Sequence, residues 1–385
     1  MRVAAVLLLV GLLAATAGAV SARAAMKGMG TGMGPAGTHW SLSQWLAAHP
    51  RDRRRLRALR RRVRGAARPP GGMAGAPVRL AIIYPADAGT DHWQRNVAAV
   101  KGRLADLGIP YRLQVYTYRT GARDGDPVTD QARQVARALG RAPDYLLLAV
   151  TAAAQRRTVE RLLARAEPRV ILLNMTTPVR AWGKTQPFLY VGFDHARGSG
   201  LLADAIRRHS GDRPAYAVLE TEWRAVSRWR ARAFVEAMNQ GTGGRLTARY
   251  RTRGSRLTGR AAARDALRRH AGLDVLFASS PRLALGAAAA VRAADRPGVT
   301  VSGWGGSSAE LAALRAGRLD LTVMRMNDDA GVAVAEAIAL ARAGRAAAVP
   351  TVYSGDFVVV TRETPPEAIA HYARRAFRYS GDRAP

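Results

Sequence analysis

The sequence predicts an α/β protein with two lobes, each built on a doubly wound parallel sheet. From Val78 onward, short apolar segments alternate with longer helical segments, which is typical of β-α-β units. The alternation starts again near His195, so the chain contains two such runs. About 360 residues follow the N-terminal 24, which is too many for one small core and enough for two ordinary domains.

The N-terminus has the pattern of a secretory signal peptide. Arg2 supplies a positive charge, residues 3–19 are apolar, and Ala22-Arg23-Ala24 is a small-residue cleavage motif. We expect residues 1–24 to be removed after Ala24 and the protein to be exported to the periplasm. The alternative is an uncleaved membrane anchor. No later stretch approaches the ~20 uninterrupted apolar residues of a spanning helix, so the mature chain is expected to be soluble.

Residues 25–77 are predicted to form an N-terminal arm and a linker outside the main fold. Residues 40–48 have a helical pattern, His49-Pro50 interrupts it, and a basic helix follows. The proline- and glycine-rich residues 68–72 cannot continue that helix and mark the linker.

The basic helix is expected to cover residues 51–64. Leu56, Leu59 and Val63 recur there at helical spacing between arginines. Such a helix packs its apolar stripe on the protein and leaves its arginines in water. The alternative is a dedicated site for an anion or a lipid headgroup.

The formal net charge of +32 would ordinarily suggest binding to nucleic acid. However, Lys27, Lys101 and Lys184 are the only lysines, in a chain also rich in alanine and glycine. Such a pattern fits a compositional bias spread over solvated faces, and we expect no nucleic-acid partner. The sequence contains no cysteine, which excludes disulfides, thiolate metal sites and a cysteine nucleophile.

Candidate elements follow in order along each run. In the first run the predicted strands are 79–84, 111–117, 145–150 and 170–174, and the predicted helices are 93–107, 129–139 and 153–166. In the second run the predicted strands are 215–219, 246–250, 275–278, 299–303 and 319–324, with predicted helices that include 224–238 and 261–270.

Ligands of parallel sheets bind beyond the carboxyl ends of the strands. The loops at those ends are therefore the candidate site, namely 85–93, 174–182, the segment before Arg230, 279–282 and 303–307. Two lobes that face each other would place all of these loops in one cleft. This geometry predicts a clamshell that traps a ligand by hinge closure.

No catalytic constellation emerges from the sequence. The seven histidines lack the spacing of metal ligands, and no glycine-rich phosphate loop follows the first strand. Asp91-His92 is an acid next to a base, but adjacent residues on a helix point apart. We expect binding without turnover, no metal site and no cofactor.

Five sequence blocks carry a resemblance to a known family. They are Asn174-Met175-Thr176-Thr177-Pro178-Val179-Arg180, residues 186–195, residues 323–329, residues 350–357 and residues 375–380. With these blocks the chain resembles the LuxP family of autoinducer-2-binding periplasmic proteins, over roughly residues 40–382. The resemblance implies a type I periplasmic binding protein with three chain crossings between lobes. It implies a first lobe of 78–194 plus 326–354 and a second of 195–325 plus 355–385.

The ligand of that family is a furanosyl borate diester, so borate would enter only as part of the ligand. The family's two ligand-binding arginines correspond to Arg230 and Arg325. Two guanidinium groups offer forked, charge-assisted hydrogen bonds to an anion. Most arginines of this chain would instead be surface charges, but Arg325 lies in an apolar strand end, where an unpaired cation would be costly.

Other family contacts correspond to Trp93, Trp304, Asn174 and Thr90, the last in place of a serine. The tryptophans could equally pack the lobes, and Asn174 could be an ordinary turn residue.

Two departures from the family affect the ligand chemistry. Ala88 replaces a contacting glutamine, and Pro281-Arg282 replaces a threonine and an aspartate that accept ligand hydroxyls. These changes predict a pocket of the same family with altered specificity.

The resemblance implies a signalling receptor that presents its ligand-bound form to a membrane hybrid sensor kinase of the LuxQ type. One alternative is the substrate-binding protein of a sugar ABC transporter. Another is a basic, surface-adhering protein with a vestigial cleft.

Overall fold

A computed structural model describes residues 37–69, 75–86, 91–119, 126–151, 153–210, 213–222, 224–240 and 243–381. The predicted signal segment 1–24 and two predicted site residues, Ala88 and Thr90, lie outside these ranges. Among the helices described, none combines the length and the apolarity needed to span a bilayer.

The first lobe is built on a six-stranded sheet in which every neighbouring pair is parallel. Its strands are β1 (Val78–Pro85), β2 (Tyr111–Tyr118), β3 (Tyr145–Ala149), β4 (Arg169–Leu173), β5 (Leu189–Gly192) and β11 (Val352–Ser354), in the spatial order β11-β5-β4-β3-β1-β2. β1, β3 and β4 are almost wholly buried because helices cover both faces of the sheet.

The second lobe repeats this architecture. Its strands are β6 (Ala215–Thr221), β7 (Arg245–Thr252), β8 (Val275–Ala278), β9 (Thr300–Gly305), β10 (Leu321–Arg325) and β12 (Phe357–Thr361), in the order β12-β10-β9-β8-β6-β7. The predicted fold class is confirmed. One difference is β12, which pairs antiparallel to β10 and forms one edge of the sheet.

Helices occupy the connections. In chain order they are α1 (Leu42–Ala48), α2 (Pro50–Arg64), α3 (His92–Asp106), α4 (Pro127–Leu139), α5 (Arg156–Leu163), α6 (His195–Ser210), α7 (Ala225–Met238), α8 (Arg256–Arg269), α9 (Pro281–Ala293), α10 (Ser308–Arg315), α11 (Asp329–Arg342) and α12 (Pro366–Ala376). α8 begins at Arg256 rather than at the predicted residue 261, because Ser255 and Thr258 form a capping box.

The N-terminal arm is part of the first lobe rather than an appendage. Leu56, Leu59 and Val63 are buried in the core of that lobe, as the apolar stripe of α2 predicts. The arm is also fixed by polar contacts. Asp52 accepts hydrogen bonds from Trp45 Nε1 at 2.6 Å and from the Thr351 amide at 3.2 Å, which joins α1 and α2 to the segment before β11.

Several arginines of α2 contact the protein instead of lying in water, in contrast to the predicted solvated face. The Arg60 guanidinium donates to the Ser354 carbonyl at 3.1 Å, and Arg64 forms a two-bond pair with Asp356 at 3.0 Å. Arg62 donates to the buried carboxylate of Glu336 at 2.6 Å. Ser354 and Asp356 lie where the chain passes from β11 to β12, so the arm holds one of the crossings between lobes.

The chain passes between the sheets after β5, after β10 and between β11 and β12, which gives the three crossings of the predicted fold. The terminal segment differs from the predicted division, because it leaves the second lobe again. Tyr379 packs against Gly102 of α3 and donates to Asp106 at 2.6 Å, and Asp328 accepts the amides of Tyr379 and Ser380. The exact lobe boundaries remain predictions.

Candidate ligand-binding cleft

A cavity of about 240 Å³ lies between the lobes at the carboxyl ends of the parallel strands. Its lining residues are Pro85, His92, Trp93, Thr151, Asn174, Thr221, Arg224, Val226, Ser227, Arg230, Arg253, Gly254, Ser279, Ser280, Pro281, Arg282 and Arg325. The location is the one expected for a ligand of two facing doubly wound sheets.

Charge is distributed unequally between the two walls of this cavity. All five arginines of the described lining belong to the second lobe, namely Arg224, Arg230, Arg253, Arg282 and Arg325. The first lobe contributes Pro85, His92, Trp93, Thr151 and Asn174. The described lining includes no aspartate or glutamate. The cavity is therefore suited to an anion, which the second lobe would hold by charge.

Arg230 lies on α7 and is 8% exposed. Its Nε donates to His195 Nδ1 at 3.2 Å and its Nη1 donates to the Ser279 carbonyl at 3.1 Å. The guanidinium lies over the ring of Trp304, 3.6 Å from the ring centroid. Burial, reinforced by the nearby Arg325, holds the pKa of Arg230 well below its ordinary value. A bound anion would offset this unfavourable environment.

Arg325 ends β10 and is 6% exposed. Its Nε is 3.5 Å from the Gly305 carbonyl, a long hydrogen bond that leaves most of the guanidinium for other partners. Burial lowers the pKa of Arg325 to about 10, while the carboxylates of Glu310 and Asp91 act in the opposite direction. The side chain therefore remains a cation at neutral pH. Arg325 and Arg230 form the inner, buried cations of the cavity.

Two buried histidines adjoin the inner arginines. His92 Nδ1 donates to Asn327 Oδ1 at 2.6 Å, and His195 Nδ1 accepts from Arg230. Burial is the largest cause that places both pKa values well below 6.5, and the neighbouring arginines add to it. Both imidazoles are therefore neutral near pH 7, and the arginines alone supply the positive charge of the cavity.

Trp93 and Asn174 both lie in the cavity wall, as the sequence predicts. Trp93 is stacked on Tyr84, with 5.7 Å between ring centroids. Asn174 has a φ of +57°, the left-handed conformation that asparagine tolerates in turns. Its Oδ1 is buried without a hydrogen-bond partner among the described residues. An unpaired acceptor in a cavity wall is well placed for a ligand hydroxyl.

Trp304 does not line the cavity in this structure, in contrast to its prediction as a ligand contact. It is fully buried, because β9 directs its ring into the core of the second lobe. Its Nε1 donates to Ser199 Oγ at 3.1 Å, and its face supports the Arg230 guanidinium. In this structure Trp304 therefore supports an inner arginine, and its direct contact with a ligand stays a prediction.

Arg282 lies in the cavity wall at the start of α9, beside Pro281. Arg224 lies in the segment before Arg230 and Ser279 and Ser280 lie in the loop 279–282, both of which were predicted to line the site, but none of the three was singled out as a ligand contact. Arg253, Thr151 and Thr221 were not predicted, although each lies at or just after the carboxyl end of a strand. The position of each residue after a parallel strand was the signal that could have found them.

A direct polar contact joins the lobes beside the cavity. Arg95 Nε pairs with Asp91 Oδ2 at 2.6 Å, and Arg95 Nη2 donates to Ser308 Oγ at 2.7 Å. Ser308 Oγ in turn donates to Asp91 Oδ2 at 3.0 Å. Asp91 is thus engaged with Arg95 and Ser308, whereas His92 bonds Asn327, so the two neighbours have separate partners in this structure.

Comparison with known proteins agrees with this geometry. Residues 80–346, more than half of the chain, match the family described as "Periplasmic binding protein domain". The chain belongs to the periplasmic binding protein family. Its homologues are solute-binding proteins rather than enzymes.

Solved structures of similar fold include three binding proteins. An arabinose-binding protein, AraP of Geobacillus stearothermophilus, aligns with a TM-score of 0.63 and 16% identity, over 77% of this chain and 99% of that one. A periplasmic ribose ABC transporter protein of Conexibacter woesei aligns with a TM-score of 0.67 and 19% identity, over 80% of this chain and 100% of that one. A solute-binding protein of Agrobacterium vitis with bound D-fucose aligns with a TM-score of 0.65 and 19% identity, over 75% of this chain and 98% of that one. At these identities the likeness establishes the fold of this periplasmic binding protein.

Proposed function

We propose that this periplasmic binding protein is an exported receptor that closes around a small anionic, sugar-like ligand, with autoinducer-2 as its furanosyl borate diester the first candidate. One observation carries the proposal: two buried arginines, Arg230 and Arg325, face a cavity whose described lining has no carboxylate. Two adjacent buried cations are unfavourable without an anion, and a borate diester carries one negative charge.

The remaining groups of the cavity suit the hydroxyl-rich part of such a ligand. Asn174 Oδ1 is a buried acceptor without a described partner, and Thr151 and Ser280 add hydroxyl groups. Trp93 offers an apolar face for a furanose ring. The proposal has two further parts. The signal peptide is removed after Ala24, and the ligand-bound protein is recognised by a membrane hybrid sensor kinase of the LuxQ type. Both parts rest on the sequence pattern and the family resemblance.

The second candidate is the substrate-binding protein of a sugar ABC transporter. It is favoured by the structural neighbours, which include proteins crystallised with D-fucose and with D-allose. An adjacent hybrid sensor kinase gene would support signalling, whereas adjacent permease and ATPase genes would support transport. In either case the protein binds its ligand and releases it unchanged.

Titration calorimetry with autoinducer-2, with and without borate, tests the ligand. We expect saturable binding that strengthens with borate, because borate supplies the negative charge. Small-angle scattering should show a smaller radius of gyration at saturation, because a ligand held by both lobes favours the closed state. Neutral pentoses are the control. Preferential, borate-independent binding of a pentose would contradict the receptor proposal and support transport.

A pH series tests the protonation states in the cavity. Affinity for ribonate, which remains a monoanion, is expected to vary less than about twofold between about pH 6 and about pH 8. Both arginines stay charged in this range because a guanidinium group is not deprotonated in proteins. His92 and His195 stay neutral because burial holds their pKa values well below 6.5. Calorimetry at several pH values provides the measurement. A steady rise in affinity toward pH 6 would instead mean that His92, His195 or the buried Glu310 takes up a proton on binding.

A further inference from the structure

The described lining of the cavity carries five arginines, more positive charge than one anionic group requires. Arg230 and Arg325 lie at its buried end, whereas Arg253 and Arg282 are exposed and Arg224 is partly buried. The three outer arginines come from separate segments. Arg224 precedes α7, Arg253 follows β7, and Arg282 is the second residue of α9. Three separate segments therefore bring an arginine to the same wall of the cavity.

The backbone adds to this positive field. α7 and α9 both begin at the cavity wall, where Val226, Ser227, Ser280 and Pro281 line it. Neither helix has an acidic residue in its first turn or a side-chain hydrogen bond at its N-cap. Helix N-termini favour anions through the helix dipole and their unpaired amides.

Close approach to this wall is possible because of Gly254, which also lines the cavity. It has a φ of +75°, and a Cβ atom built there would lie 2.8 Å from Thr221 Oγ1. A side chain at this position would therefore displace Thr221, which lines the cavity beside it. The glycine therefore allows Thr221 to keep its place in the cavity wall.

We propose that the cavity takes a sugar-like ligand with two anionic groups, one held by Arg230 and Arg325 and the other by Arg224, Arg253 and Arg282 at the starts of α7 and α9. This inference rests on the proposed function and narrows its ligand class. A borate diester alone would fill the inner position only. The second group is an ionised acid on the same small molecule, such as a phosphate monoester or a carboxylate.

The test is a set of four related ligands titrated into the full mature protein. Ribose has no acidic group, ribonate has a carboxylate, ribose 5-phosphate has a phosphate, and 5-phosphoribonate has both. We expect 5-phosphoribonate to bind at least about tenfold more tightly than either single-acid ligand, because each charge-assisted contact adds to affinity. Equal affinity for 5-phosphoribonate and either single-acid ligand would overturn the proposal.

Variants then assign the second acid to the outer arginines. The double variant Arg253→Gln with Arg282→Gln should lower affinity for 5-phosphoribonate by about tenfold, a modest loss because exposed arginines contribute less to binding than buried ones. Affinity for ribonate should stay within about twofold, because its single carboxylate would be held by Arg230 and Arg325. Arg264→Gln, an exposed arginine of α8 outside the cavity, controls for the loss of net charge. An unchanged 5-phosphoribonate affinity in the double variant, or an equal loss in Arg264→Gln, would overturn the proposal.

The same titrations separate this proposal from the proposed function. If autoinducer-2 binds in a borate-dependent manner and 5-phosphoribonate has no advantage, the receptor function stands and the second anion position fails. If autoinducer-2, ribose and ribonate all fail to bind, the receptor function fails. Binding of 5-phosphoribonate that depends on Arg253 and Arg282 would still support the second position in that case.

Discussion

Changing Arg325 to alanine is expected to weaken binding of the anionic ligand by about ten- to more than a hundredfold. The change removes a charge-assisted contact worth roughly 1.5–3 kcal/mol inside a buried cavity. Among the described residues, Arg325 makes one long hydrogen bond, to the Gly305 carbonyl, which leaves most of its donors for the ligand. Calorimetric titration of the two proteins measures the effect.

The competing interpretation is that Arg325 mainly stabilises the fold. Its alanine variant would then melt at a lower temperature without ligand, whereas loss of a buried like charge beside Arg230 should leave the ligand-free melting temperature unchanged or raised. Arg318→Ala removes an exposed arginine of the second lobe outside the cavity and is the matched control. A melting temperature lowered by several degrees with unchanged affinity would contradict the binding role of Arg325.

Changing Glu336 to alanine is expected to lower the free energy of unfolding by about 3–5 kcal/mol, because it leaves a buried arginine without its partner. Glu336 and Arg103 are both almost fully buried, and Arg103 donates to Glu336 Oε1 through Nε at 2.8 Å and through Nη2 at 2.5 Å. Arg103 also donates to the carbonyls of Arg62 and Gly65. The carboxylate therefore joins α11, α3 and the arm.

Urea denaturation followed by circular dichroism measures this loss. Asp204→Ala is the control, because it removes the half-exposed carboxylate of the Arg207 pair on α6, and exposed pairs contribute 0–1 kcal/mol. Protease sensitivity near α2 should rise in Glu336→Ala, because Arg62 loses the same carboxylate. A loss below about 1 kcal/mol would mean that the buried arginine finds another partner or water.

The sequence predicted much of the fold because parallel strands buried on both faces leave a strong local pattern. The strands 79–84, 111–117 and 275–278 were found within a residue or two of β1, β2 and β8. The antiparallel pairing of β12 and the return of Tyr379 to the first lobe were not predicted. Both depend on contacts between distant segments, and neither leaves a periodicity in the local sequence.

The candidate site was predicted in part, and mainly through the family resemblance. Asn174 and Trp93 follow the ends of the first-lobe pattern and line the cavity. Arg224 and Arg253 were not singled out because the chain has 60 basic residues and only three of them are lysine, so one more arginine in a loop carries little signal. The burial of Trp304 beneath Arg230 was not predicted, because the sequence of a strand end does not show which face its side chain takes.

The unequal distribution of charge between the walls also bears on how an anion reaches the cleft. An anion approaching the cleft is attracted by the second lobe, whose arginines act at a distance of about 8–10 Å in physiological salt. The described lining from the first lobe has no arginine or lysine, so within the cavity the second lobe alone would attract the anion. Ionic strength should therefore affect how fast the ligand arrives, whereas the time it stays would depend on short-range contacts, those of Arg325 and Arg230 as well as those of Trp93 and Asn174.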